Sequence, residues 1–238
     1  MGAVEVYRKT RKRPDLFWNT FVARPPAAVV VALLDKTPIT PNQVTLAAFG
    51  VAVLACALVV WAPGYWGLLA AIVVFELSYV LDCADGMLAR LRGIASQKGH
   101  LLDFLMDEIK AFVLLAAVSV RLFREHADTR YLLLGLGGLV CLATGIAITT
   151  FQRRPEIAGP PAEPKPASEP SLVARVIGLP MAFLKFLIHY PSYILYTAIA
   201  GRIELYFFPY IAVNALYALK SLGWLALGFG RFEPKRNP

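Results

Sequence analysis

Charge is what this chain is short of. Of 238 residues only 17% are Asp, Glu, Lys or Arg, and acids are scarcer than bases, 16 against 24. Ordinary soluble domains carry about 25% charged residues. The shortage, beside 58% hydrophobic residues and a mean hydropathy of +0.58, excludes such a domain and points to a membrane protein. Cysteine is scarce as well. Cys56, Cys83 and Cys141 lie far apart in or beside apolar stretches, form no CxxC pair and exclude a disulfide framework, which leaves them as small packing residues. The opening residues, MGAVEVYRKTRKRPDLFWNT, lack a small-residue site after a short apolar core and are not expected to be a cleavable signal. Val6 stands where a myristoylation motif has Ser or Thr, so that modification is set aside too.

What is present is a series of apolar runs. A membrane-spanning helix needs about 20 mainly apolar residues. Residues 43–61, 66 to about 92, 102–120, 131–151, 172–200 and 205–228 supply six candidates, the fifth divided or kinked by Pro180 and Pro191. The expected fold is therefore all-α: an integral membrane protein of six transmembrane helices, with its spanning domain at 41–230. Residues 231–238 form a tail and 1–40 an N-terminal segment. Phe17, Trp18 and Phe21 among basic residues give that segment the character of an amphipathic helix lying in the membrane interface. Between the fourth and fifth runs, RRPEIAGPPAEPKPASEPS holds six prolines and is expected to be an extended, exposed loop. Basic residues gather in the N-terminal segment, the turn after the second run, the Pro-rich loop and the tail. The positive-inside rule then puts both termini and that turn on the cytoplasmic side.

That turn is flanked by four carboxylates. Asp82 and Asp85, three apart, share a face at the end of the second helix; Asp103 and Asp107, four apart, share a face on the third. A short turn brings the pairs together, and ionised carboxylates so placed repel one another strongly unless cations sit between them. Oxygen ligands without a Cys–His pattern suit Mg²⁺ or Mn²⁺. Gly86 and Ala89 leave room beside them for a planar or phosphorylated ligand, or for close packing of another helix. Arg90 is suited to phosphate or carboxylate charge, or to setting topology.

Asp82, Asp85, Gly86, Ala89, Arg90, Gly99, Asp103 and Asp107 together read D-x2-D-G-x2-A-R-x8-G-x3-D-x3-D, eight fixed residues across 26 positions. This resembles the signature of the CDP-alcohol phosphotransferase family at every fixed position, and TPITPNQVT at 37–45 is similar to the segment that opens that family's first membrane helix. The resemblance implies transfer of a substituted phosphoryl group from a CDP-linked donor to an acceptor hydroxyl, releasing CMP, in phospholipid or related polar-lipid synthesis. It implies two divalent cations on Asp82, Asp85 and Asp103, with Asp107 completing the site and serving as general base. Gly86, Ala89, Arg90 and Gly99, with Asp82, then border the cytidine nucleotide, joined by Asn42 and Thr45. It implies a homodimer, at least one lipid substrate and no nucleic-acid partner.

Other residues stay open. Lys185 and His189 read as contacts to a phosphorylated acceptor or as a snorkelling lysine and a satisfied histidine. Glu76 reads as a structural hydrogen-bonding group or as polarity facing an acceptor or subunit. His100 reads as a site residue or a polar turn residue, and His126 as a solvated group on the opposite face. Gly135, Gly137 and Gly138 suit helix packing or a subunit interface. KTPITPNQVT is similar to the corresponding segment of members that handle inositol phosphates. Two other classes compete: a divalent-cation transporter, since acids in membranes mark ion paths, and a non-catalytic membrane scaffold. Crowding of the acids at one end argues against transport.

Overall fold

A computed structural model describes residues 1–12, 15–158 and 190–229. Every regular element among them is helical: α1 (Ala3–Thr10), a π-helical stretch (Asn19–Ala23) running into α2 (Arg24–Leu34), α3 (Pro41–Trp61), α4 (Gly64–Leu91), α5 (Gln97–His126), α6 (Arg130–Gln152), α7 (Pro155–Ala158), α8 (Tyr190–Ile199) and α9 (Glu204–Phe229). Four of these are long and apolar enough to cross a membrane: α3, α4, α6 and most of α9. The protein is thus a multi-pass membrane protein. At 1.5 Å per residue the 30 residues of α5 measure about 45 Å, longer than the hydrocarbon core, and its charged first turns lower its apolar average.

Local chemistry sets the boundaries that position the carboxylates. α3 begins at a reciprocal cap: the Gln43 backbone N–H donates to Thr40 Oγ1 (3.3 Å) and the Thr40 N–H to Gln43 Oε1 (2.9 Å), with Pro41 at the first turn. α4 stops at Gly93, whose φ of +67° suits glycine, while the Gly93 and Ile94 N–H groups return to the Arg90 and Ala89 carbonyls. Three residues later Ser96 caps α5 through the Gly99 N–H (3.1 Å). This tight turn lays α5 back beside the α3–α4 pair and makes two acidic faces into one site.

The α3 face toward its neighbours is built of small residues, Ala48, Ala52 and Ala55 with Val59, so backbones approach closely where lipid offers no hydrophobic drive between helices. The main core continues through Phe75, Leu114, Leu115 and Val118 to Tyr206, Phe207 and Tyr210 of α9. Gly135 and Gly138 let α6 close on its neighbours: a Cβ on Gly135 would lie 2.0 Å from Ser119 Oγ, and one on Gly138 2.7 Å from Ile211 Cγ1. Both serve packing within the chain, whereas Gly137 faces open space. Pro209 inside α9 cannot bond the Leu205 carbonyl, and the Tyr193 hydroxyl donates to that oxygen instead.

Several charges do structural jobs that composition does not reveal. Arg92 donates to the carbonyls of Ile39 (2.6 Å), Leu34 (2.7 Å) and Thr37 (2.9 Å), tying the α2–α3 loop to the end of α4. At the other end of the bundle Arg121 donates to the carbonyls of Val59, Ala62 and Gly64, and Arg124 to that of Val60, closing the α3–α4 turn. His126 is exposed, as expected, at the end of an α5 that carries on past the anticipated limit of the third run, and its ring lies 5.0 Å from that of Tyr131. Of the expected Pro-rich loop, Arg153 and Arg154 follow the end of α6, Pro155–Ala158 forms one helical turn, and the residues from 159 on lie outside the described residues. The fifth run, 172–200, is described only from 190, where α8 packs on α4.

The N-terminal segment is anchored by a second apolar cluster. Val6, Ala27, Ala28 and Val31 bury against Val44 of α3 and Ala84, Met87 and Leu88 of α4. A buried Arg24–Asp15 ion pair (2.5 Å) lies at the same junction, and the Tyr79 hydroxyl of α4 donates to Asn19 Oδ1 (2.5 Å). Glu76 Oε1 and Trp18 Nε1 are both buried without a hydrogen-bond partner, and both readings of Glu76 stay open. Phe17, Phe21 and Leu33 remain 75%, 65% and 73% exposed on the outer side.

Candidate active site

Asp82 and Asp85 project from the last turns of α4, and Asp103 from the second turn of α5. One carboxylate oxygen from each lies within 4.8 Å of the other two. That convergence can coordinate a divalent cation, since an ion of this kind takes oxygen ligands at about 2.0–2.6 Å and bridges groups at such separations. Two details support the fit. Asp103 Oδ1 is buried with no hydrogen-bond partner, leaving an acceptor for which a cation is the natural complement. Asp85 Oδ2 accepts from the Thr45 hydroxyl, an outer contact of the kind that fixes a ligating carboxylate in one orientation.

Asp107 stands apart from this group. It is 40% exposed at the side chain, and its Oδ1 accepts from the Lys110 ammonium at 3.1 Å. Lys110 itself is 2% exposed and also pairs with Asp82. This lysine was missed by inspection of the motif, because it lies beyond the last of the eight fixed positions, Asp107. The available signal was its spacing, three residues after Asp107 and on the same helix face.

Beside the three carboxylates opens a cavity of about 380 Å³. Of the residues assigned to nucleotide, Asn42, Thr45, Gly86, Ala89, Arg90 and Gly99 line it, together with Asp85 and Asp103, whereas Asp82 does not. Gly86 is occupied on its open side by Arg90: a Cβ there would sit 3.2 Å from Nη1 of that guanidinium. Gly99 is squeezed between Ser96 Oγ and Asn42 Oδ1, 3.3 and 3.4 Å from an added Cβ, so its smallness brings α3 and α5 together. His100 also lines the cavity, as do Lys12 and Thr40, which the motif did not contain. Lys185 and His189 lie outside the described residues.

A bundle of apolar helices with an acidic centre and an adjoining polar cavity at one end defines a membrane-embedded, cation-binding class of protein. Comparison with known proteins narrows the class. The sequence profile of the CDP-alcohol phosphatidyltransferase family matches residues 38–203, and the chain belongs to that family. It is 32% identical over 140 residues to the phosphatidylinositol phosphate synthase of Corynebacterium glutamicum, covering 57% of this chain and 62% of that protein. It is 42% identical over 85 residues to the inner membrane protein YnjF of Escherichia coli, covering 34% of this chain and 39% of the relative. The chain therefore spans less than two thirds of the length of either relative.

Proposed function

We propose that the protein transfers a substituted phosphoryl group from a CDP-alcohol donor to an acceptor hydroxyl, with release of CMP, in polar-lipid synthesis. The observation that carries this reading is the meeting of Asp82, Asp85 and Asp103 within 4.8 Å beside a cavity of about 380 Å³ walled by Gly86, Ala89 and Gly99. Two divalent cations, Mg²⁺ or Mn²⁺, would be held by these three carboxylates with Asp107 at the margin, and would neutralise charge on the transferring phosphate. The remaining chemistry belongs to the chain. Asp107 takes the acceptor hydroxyl proton, and the freed oxygen attacks the phosphorus distal to cytidine. The bond from that phosphorus to the CMP oxygen breaks, leaving a phosphodiester. Lys110 steadies the Asp107 carboxylate for this task. Thr45 orients Asp85, and Asn42 and Ala89 flank the nucleotide.

An inositol-phosphate-type acceptor is the preferred substrate reading, supported by the name of the Corynebacterium relative and by the basic residues proposed for it, Lys185 and His189. Residues 41–230 form the six-helix catalytic domain, with both termini and the cavity facing the cytoplasm and a lipid among the substrates. The exposed Phe17, Phe21 and Leu33 suit residues 1–40 to the membrane interface. The working unit is a homodimer. Mass spectrometry of products from a matrix of CDP-linked donors and hydroxyl acceptors tests the proposal: a phosphodiester and CMP should form together. Exclusive use of uncharged acceptors would remove the inositol-phosphate reading. Cation flux across vesicles without any CMP would replace the enzyme with a transporter.

A further inference from the structure

We propose that Lys12, on the segment leaving α1, is a phosphate-binding residue that grips the diphosphate of the cytidine nucleotide; this rests on the reading of the cavity as a CDP site. Lys12 lies outside the residues 38–203 that match the family, yet it lines the cavity with Asp85, Arg90, His100 and Asp103.

Its position is held from both sides of the preceding helix. Val6 is fully buried against Ala27, Val31 and Met87, and Thr10 is 1% exposed. The Tyr7 hydroxyl donates to the Thr20 carbonyl (3.0 Å), which joins α1 to the segment before α2. Arg90 Nε donates to the Thr10 carbonyl at 3.2 Å, fastening the backbone two residues before Lys12 to the cavity rim. A short helix with an exposed, purely solvated end would have no need of such anchorage.

The charge pattern gives the ligand. Carboxylates at one wall suit cations, while the outward oxygens of a diphosphate need donors on the opposite side. Arg90 commits its Nε to Thr10 and lays its Nη1 against Gly86. Lys12 forms no ion pair with any described carboxylate. Its ammonium, on a flexible four-carbon stem, is a donor free to follow phosphate oxygens beside the Arg90 guanidinium. The phosphate of an acceptor offers the same chemistry, but Lys12 shares its cavity with Gly86 and Ala89, the nucleotide wall.

The test is calorimetric titration of CDP, CMP and inorganic phosphate, with Mn²⁺ present, into the full chain in lipid nanodiscs. Lys12→Ala should weaken CDP binding about ten-fold, the scale of one charge-assisted hydrogen bond, and CMP binding less. Lys12→Arg should restore most of the CDP affinity, and the alanine variant should unfold at the wild-type temperature and show a flatter salt dependence. Wild-type CDP affinity in Lys12→Ala overturns the assignment. Equal losses for CDP and CMP that arginine does not rescue overturn it as well. A loss confined to inorganic phosphate moves Lys12 to the acceptor and also overturns it. If the wild-type chain binds neither nucleotide, the CDP reading of the cavity falls; if it binds both and Lys12→Ala matches it, only the role of Lys12 falls.

Discussion

The acids of this site divide according to their neighbours. Asp82, Asp85 and Asp103 face one another, and Lys110 joins Asp82 to Asp107, which lies outside that group. The pairing makes Lys110 a structural keystone: Lys110→Met would leave Asp82 buried beside Asp107 without its cation. Breaking a buried ion pair from one side costs about 3–5 kcal/mol. Thermal unfolding of this variant should begin well below the wild-type temperature, with Lys110→Arg intermediate; an unchanged transition would show that the pair contributes nothing. Asp107→Asn should behave differently. It keeps the shape but not the basicity, so donor binding should largely persist while single-turnover transfer falls about 10²- to 10⁴-fold. Near-normal transfer at saturating metal would remove Asp107 as the base. Residue spacing was enough to pair Asp82 with Asp85 and Asp103 with Asp107, because i,i+3 and i,i+4 positions share a helix face, but it did not show that Asp107 stands outside the group of three. It could not reveal Lys12, whose place depends on an Arg90–Thr10 contact 80 positions apart in sequence.

At the scale of the element, α5 and α6 meet through a glycine that admits nothing larger. The Ser119 hydroxyl donates to the Leu115 carbonyl at 2.6 Å and occupies the space a Gly135 side chain would need. Gly135→Ala should therefore force α6 outward and destabilise the bundle by about 1–3 kcal/mol. Gly137→Ala, facing open space, should have little effect. Comparing their unfolding transitions in one detergent checks both; equal stability would contradict the packing account. The start of α3 rests on a local cap, Thr40 and Gln43 three positions apart, and it falls at Pro41, two residues before the expected run at 43–61. The length of α5 was not legible in the sequence, because acids and Lys110 interrupt the apolar run from which a span is recognised. The same limit hid Arg92 and Arg121. Basic residues at helix ends read as topology signals, and only three-dimensional packing shows which carbonyls they bind.

For the molecule as a whole, one end of the bundle is specialised. The anchored N-terminal segment, the capped start of α3 and the α4–α5 turn converge there, and each contributes residues to the cavity. The apolar content announced a membrane protein, and the eight-residue pattern pointed to the family that residues 38–203 match. Neither could supply the fit of the N-terminal segment, which depends on the complementary surfaces of α2 and α4. The central claim is that Asp82, Asp85 and Asp103 hold the cations on which transfer depends. Single-turnover CMP release by the purified protein in lipid, measured against Mn²⁺ concentration for the wild type and Asp85→Asn, tests it most directly. Release should be absent in chelator, rise to saturation with Mn²⁺, and be lost or shifted to much higher Mn²⁺ in the folded variant. Wild-type release by Asp85→Asn at the same Mn²⁺ dependence, or release that persists in chelator, would contradict the account.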